Sequence, residues 1–184
     1  MTESTAPGGV MRAQHLWNLV ERWIAYLDFS LMGLQIFADV AGREFLGPVG
    51  RALGFEMGAT GVYGAGKMAL FLLVIATFAG LSLSVASGAQ IVPQVAFKWV
   101  PARWSGSIDR LGNLVSAAVF FAMAYYGAIF VISSRSIGTV MPGLDWPVWI
   151  IQTAIPIGFA SSALRYLTFA IWPETAPKRE EMLE

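Results

Sequence analysis

Three long runs of apolar residues, each without a charged side chain, follow one another along the chain: residues 68–87, 111–134 and 146–164. A helix needs about 20 apolar residues to cross the roughly 30 Å hydrocarbon core of a bilayer, and each run is about that long. A fourth run, residues 23–42, has the same length but contains two aspartates. The pattern predicts an all-α integral membrane protein with four transmembrane helices. Their predicted bounds are about residues 20–42, 66–88, 110–134 and 146–170.

The segments outside this transmembrane domain (residues 16–172) are short. Residues 1–10 are mostly small and polar, and residues 1–15 are predicted to form a disordered N-terminus; residues 173–184 are predicted to form a polar tail. The stretches at residues 49–55 and 89–107 mix apolar residues with glycine, proline or basic residues. Such mixtures favour short interfacial amphipathic segments that lie along the membrane surface.

Lysine and arginine predict the orientation of the spans. With the N-terminus inside, eight of these basic residues fall in inner segments, whereas the outer segments hold four: Arg43, Arg51, Lys67 and Arg135. Because cytoplasmic loops carry the excess of basic residues, both termini are predicted to be cytoplasmic. Basic and aromatic residues at the span ends are predicted to act as interfacial anchors. These are Arg43, Trp99, Arg103, Trp146 and Trp149.

The composition leaves little material for chemistry. Hydrophobic residues make up 56% of the chain, charged residues 13%, and the mean hydropathy is +0.60. There is no cysteine, and His15 is the one histidine, which excludes thiol nucleophiles, Ser–His–Asp triads, His-rich or thiolate metal sites and bis-histidine haem. We therefore predict no catalytic residue, no cofactor and no metal site. The net charge of zero gives no indication of nucleic acid as a partner.

Four polar residues of the first predicted helix lie on one side of it, within about 40° of one another at 100° per residue. They are Glu21, Asp28, Gln35 and Asp39, called the polar stripe below. A carboxylate at mid-membrane depth costs about 2.5–3.5 kcal/mol on insertion scales, so the stripe must face protein or water. One interpretation is ion or proton handling by Asp28 or Asp39. The preferred one is a buried structural seam, in which Asp39 lies beside Arg43.

Small residues recur at every fourth position of the second predicted helix, where they let another helix backbone approach closely. They are Ala76, Gly80, Ser84 and Gly88, called the small-residue ridge below; the fourth helix carries a similar series at Ala154, Gly158 and Ser162. The ridge and the polar stripe are candidates for a subunit contact or a buried polar seam. Polar partners for the stripe within the chain are few, and none is a mid-membrane cation: Asn113, Ser116, Gln152 and Thr153. A second subunit is therefore expected to cover part of the stripe.

Several short segments also occur in a known family. They are REFLG at residues 43–47, FAGLSLSVASG at 78–88, VPAR at 100–103, and the MPGLDWP turn at 141–147 that leads into IPIG at 155–158. Together with four spans in a chain of 184 residues, they resemble the DctQ-like family, the small membrane subunits of TRAP transporters. The resemblance covers roughly residues 17–172.

The resemblance implies an accessory transport subunit in the bacterial inner membrane rather than an enzyme. In such transporters a periplasmic binding protein captures a small organic acid, and a large membrane subunit of about a dozen spans moves it with an ion gradient, usually of Na⁺. The small subunit packs against the large one in a 1:1 complex and has no substrate site of its own. The implied partners are these two proteins and membrane lipids, and not nucleic acid.

Two alternatives stay open at this point. A stand-alone four-span exporter would be coupled to protons through Asp28. The small subunit of a related tripartite tricarboxylate transporter would share the four-span architecture. Neighbouring genes for a large permease and a binding protein would favour the TRAP interpretation.

Overall fold

The structure is a computed structural model and describes residues 7–55, 58, 60–89, 102–141 and 144–177. Its helices are α1 (Gly8–Ala41), a π-helical turn (Gly42–Leu46), α2 (Gly47–Ala52), α3 (Ala65–Ser87), α4 (Ala102–Ile137), α5 (Trp149–Gln152), α6 (Ala154–Ile171) and a 3₁₀ turn (Pro173–Thr175). Within the described residues, four helical stretches are long and apolar enough to cross a membrane: Gly8–Ala52, Ala65–Ser87, Gly106–Ile137 and Trp149–Ile171. The predicted all-α membrane fold is confirmed.

The first helical stretch is much longer than the span predicted at residues 20–42. Residues 8–15, predicted to be disordered, are helical, and residues 1–6 lie outside the described part. A contact with α6 holds this early segment, since Gln14 Nε2 donates a hydrogen bond to Thr168 Oγ1 at 2.9 Å. Because this contact joins residues of the first and last long helices, no local pattern in the polar N-terminus could predict it.

At its other end α1 continues through the π turn into α2, which is the short helix expected near residues 49–55. The whole stretch has 45 residues. At 1.5 Å per residue it is about 67 Å long, roughly twice the thickness of the hydrocarbon core. One or both ends of this stretch must therefore lie beyond the hydrocarbon, unless it is steeply tilted.

Glycine and proline shape the helix ends that the structure describes. Gly64 (φ 74°) begins α3 and Gly88 (φ 70°) ends it, both in the left-handed conformation that glycine adopts without strain. The fourth stretch divides between α5 and α6 at Thr153, three residues before Pro156, which has no N–H to continue the helical ladder. Most of the surface segment predicted at residues 89–107 lies outside the described residues, as do residues 178–184 of the tail.

The long helices pack in the order α1, α3, α6, α4: α1 lies on α3, α3 on α6, and α6 on α4. Both aromatic rings and small residues make these contacts; Phe159 of α6 lies against Phe78 of α3 and Phe120 of α4. A Cβ on Gly158 would lie 2.7 Å from the Phe78 Cβ and 2.8 Å from the Phe78 carbonyl oxygen, so α6 meets the backbone of α3 directly. The largest fully buried side chains are those of Ser82 and Ser162. Close backbone approach therefore replaces a large apolar core, as expected where lipid surrounds the bundle.

Candidate functional site

A buried ion pair joins α1 to α6. Arg165 Nη2 lies 2.5 Å from Glu21 Oε2, and only 6% and 12% of the two side chains are exposed. Glu21 is the first member of the polar stripe, and Arg165 lies on the buried face of α6. Most of both side chains is thus covered by other parts of this chain.

Hydroxyl groups of α3 and α6 complete the hydrogen bonding of this pair. Arg165 Nε donates to Ser82 Oγ at 3.0 Å, the Ser82 and Ser161 hydroxyls are 2.6 Å apart, and Ser161 donates to Glu21 Oε1 at 2.6 Å. Ser82 is therefore the donor to Ser161, and the bonds form a closed ring from Arg165 through both serines to Glu21. Asn18 Oδ1 accepts a further bond from Arg165 Nη1. We call Glu21, Arg165, Ser82, Ser161 and Asn18 the buried cluster; the half-exposed Trp17 borders it.

Trp17 closes the cluster on the α1 side. Its indole N–H lies 2.9 Å from Glu21 Oε1 and 2.8 Å from Ser161 Oγ. A buried ion pair is favourable only when additional hydrogen bonds satisfy its remaining donors and acceptors, and here three helices supply them. The arrangement suits a rigid junction between helices.

The sequence indicated no basic partner for Glu21, the first member of the polar stripe, whereas the structure pairs it with Arg165. A single arginine in a long apolar run is equally compatible with a position near a helix end, from which its guanidinium reaches the membrane interface. The signal that places it inside is its spacing: Arg165 follows Ser162 by three positions and extends the series Ala154, Gly158, Ser162 along one helix face. Of the partners proposed from the sequence, Thr153 instead donates to Ile150 in its own turn.

The rest of the polar stripe also lies against other parts of this chain. Asp28 is 7% exposed and lies against the backbone of Ala76 in α3, and its Oδ2 has no hydrogen-bond partner among the described residues. Gln35 Nε2 donates to the Ala65 carbonyl at 3.1 Å, at the first turn of α3. Asp39 accepts from Arg43 at 2.7 Å and from the backbone N–H of Val62 at 3.0 Å.

The small-residue ridge is divided by the packing. Ala76 is buried against α1, and Gly88 forms the end of α3. Gly80 has no atom within 4 Å of the position that a Cβ would take, and the half-buried Ser84 donates back to the Leu81 carbonyl at 2.9 Å. The ridge therefore has a closed end at Ala76 and an open surface around Gly80.

The predicted anchors fall into two groups. Arg43 forms its ion pair with Asp39, Trp146 is exposed, and the Trp149 ring lies 5.1 Å from the Arg135 guanidinium in a cation–π contact. Trp99 lies outside the described residues, and so does the side chain of Arg103.

A cavity of about 400 Å³ opens where the π turn, α2 and the following loop meet. Its wall includes Asp39, Arg43, Arg51, Thr60 and Tyr63 together with three glycines. The sequence predicted Arg43 and Arg51 in outer segments but not in the wall of one cavity. Their positions there follow from the π turn and the loop after α2. Within the described residues, no group of three His, Cys, Asp or Glu side chains is arranged to hold a metal ion.

Comparison with known proteins places most of this bundle within one family description. The sequence model of the DctQ component of tripartite ATP-independent periplasmic transporters matches residues 32–172. The ectoine TRAP transporter small permease protein TeaB of Halomonas elongata is 26% identical over 168 residues, which are 91% of this chain and 81% of that protein. The family match includes Arg165, the cavity and the open part of the ridge, and it begins after Glu21.

Proposed function

The chain belongs to the DctQ family of TRAP transporter components, and from this membership we propose that it is the accessory membrane subunit of an ion-gradient-driven importer. The small permease works with a large permease and a periplasmic binding protein. We propose that the binding protein delivers a small organic acid and that the ion is Na⁺. The relative from Halomonas elongata is, by its name, part of an ectoine transporter.

The family match over residues 32–172 carries this proposal, and the use of polar groups supports it. In the buried cluster Arg165 forms an ion pair with Glu21 and a hydrogen bond with Ser82, and these bonds join three helices of the same chain. A scaffold subunit needs such rigid internal contacts, whereas a transport pathway needs polar groups that substrate can reach. The substrate and ion sites are therefore assigned to the large permease.

The proposed 1:1 contact with the large permease is supported by a face of α4 that this chain leaves uncovered. Tyr125 and Tyr126 are 64% and 69% exposed, near the middle of the predicted span 110–134. A tyrosine hydroxyl at that depth in lipid has no hydrogen-bond partner, which disfavours direct exposure to acyl chains. Another membrane protein with an acceptor at this depth would satisfy both hydroxyls. The open surface around Gly80 is the second candidate contact.

The protein is proposed to lie in the bacterial inner membrane with both termini in the cytoplasm. The excess of basic residues in the segments on the N-terminal side supports this orientation. It places the loop after α2 and the connection between α4 and α5 on the periplasmic side, where the binding protein docks.

The decisive experiment is reconstitution. We expect the tagged chain to co-purify with a candidate large permease from the same bacterium, and expect uptake into proteoliposomes to require both subunits and the binding protein. A double variant, Tyr125→Leu with Tyr126→Leu, should reduce co-purification while leaving membrane insertion intact. Transport by this chain alone would overturn the proposal and favour a proton-coupled exporter. The position of Asp28 within the contact of α1 with α3 argues against that exporter.

A further inference from the structure

The helical stretch that contains α1 projects beyond α3 on the α2 side of the bundle. Gln35 of α1 lies level with Ala65, the first residue of α3, because its side chain donates to the Ala65 carbonyl. The 23 residues of α3 are about 34 Å long, close to the roughly 30 Å thickness of the hydrocarbon core. Ala65 therefore marks the hydrocarbon boundary on this side. The helical stretch continues past that level to Ala52, a further length of about 25 Å.

Charged residues follow soon after the helix passes this level. Asp39 and Arg43 form their ion pair there, and Glu44 is exposed. Since charged side chains are rare in hydrocarbon, they place this part of the helix in the headgroup region, which is only about 5–8 Å thick on each side. Even at a tilt of about 40°, the upper end of the usual range, α2 begins about 14 Å beyond the boundary. Helix α2 therefore stands outside the lipid.

A row of exposed apolar side chains follows this projecting part of the helix. Phe45, Val49 and Leu53 are spaced four residues apart, so they share one face, and they are 68%, 54% and 69% exposed. We call these three residues the outer stripe. Thr60 of the following loop lies against the other side of the helix, at Gly47. A contiguous row of large apolar side chains outside the lipid is typical of a surface that another protein covers.

We propose that the outer stripe is a permanent contact with a part of the large permease that stands outside the membrane, an inference that rests on the function proposed above. Permanent interfaces are more apolar than transient ones, because their surfaces are not returned to water. The periplasmic binding protein must leave in every transport cycle, and its departure would expose the stripe each time. The contact adds to the candidate contacts at Tyr125 and Gly80, which lie within the membrane.

The first test is photo-crosslinking in the purified complex of this chain, the large permease and the binding protein. A photoreactive amino acid replaces Val49 or, as the matched control, Arg51, whose side chain bonds to the Gly47 carbonyl on the opposite side of α2. We expect Val49 to give a crosslink to the large permease with and without the binding protein, and Arg51 to give none. Crosslinks from Val49 to phospholipid would overturn the proposal and place α2 in the membrane surface. Crosslinks to the binding protein alone would also overturn it and make the stripe a docking site.

The second test is assembly. Val49→Asp places an unpaired carboxylate in the proposed interface and should weaken binding of the large permease about tenfold or more. Because Val49 is exposed in this chain, the folded domain should be unaffected. Arg51→Asp is the matched substitution on the opposite side and should leave assembly unchanged. Normal assembly of Val49→Asp would refute the contact while leaving the subunit function intact. Failure of the wild-type chain to co-purify with the large permease would instead refute the proposed function itself.

Discussion

Arg165 and Glu21 are 144 positions apart in the sequence, and in the fold Arg165 Nη2 donates to Glu21 Oε2 at 2.5 Å. The last long helix of the bundle therefore carries the counterion of the first. Because Ser82 of α3 accepts from the same guanidinium, the pair connects three helices at one point. The domain supplies internally the partner that an accessory subunit would otherwise need from its neighbour.

Breaking this pair should destabilise the domain strongly. Glu21→Gln and Arg165→Gln each leave one buried charge without its partner, and we expect each to lower the free energy of unfolding by about 3–5 kcal/mol. The double variant Glu21→Met with Arg165→Met should recover much of that loss. Unfolding of the purified complex, followed by heat or denaturant, measures both effects.

The exposed ion pair at the other end of α1 is the control. Arg43→Gln breaks its bond to Asp39, but an exposed pair contributes only about 0–1 kcal/mol. If Arg165→Gln costs no more than Arg43→Gln, the buried cluster does not hold the helices together.

Two glycines on neighbouring helices should respond differently to the same substitution. Gly158→Leu places a side chain into the backbone of Phe78, so the contact between α3 and α6 must open and folded protein should be lost. Gly80→Leu meets open space within this chain. We expect it to leave insertion and the folded domain intact while it reduces co-purification with the large permease. Normal assembly of Gly80→Leu would exclude this surface as the subunit contact.

Asp28 should be structural. It is packed against α3, and Asp28→Asn keeps its shape while removing the charge. Uptake by the reconstituted transporter should equal that of the wild type at matched protein levels. Complete loss of uptake in a normally assembled complex would contradict this and indicate that the carboxylate handles protons or ions.

The sequence pattern predicted α3 closely and the apolar part of α4, because uninterrupted apolar runs depend on length and hydropathy alone. It missed that α4 begins at Ala102, within the stretch predicted as an interfacial segment. It did not predict the partner of Glu21, since the direction in which Arg165 points depends on the rotation of α6 about its axis. Nor did it predict that α1 continues into α2. The start of that continuation packs against Thr60 at Gly42, a contact between segments that no local periodicity predicts.

The orientation can be tested at the two ends of α4. The chain has no cysteine, so Ser107→Cys and Thr139→Cys each introduce a single exposed thiol. The two sites are about 45 Å apart along the helix, more than the hydrocarbon thickness. An impermeant thiol reagent should label Thr139→Cys in intact spheroplasts and Ser107→Cys only after the membrane is opened. Labelling of both from the same side would refute a membrane-spanning α4.

The order of packing has a consequence for synthesis on the ribosome. Helices α1 and α3 are mutual neighbours and can associate as soon as both are in the membrane, whereas the main neighbour of α4 is α6, which is made later. Arg165 is likewise synthesised 144 residues after Glu21, a delay of roughly 7–30 s at usual rates of translation. Until then its carboxylate and the outer helix α4 lack their native partners. Arrival of the final span therefore completes the domain, and a chain stopped before Arg165 would present an acidic first helix to whatever membrane protein lies beside it.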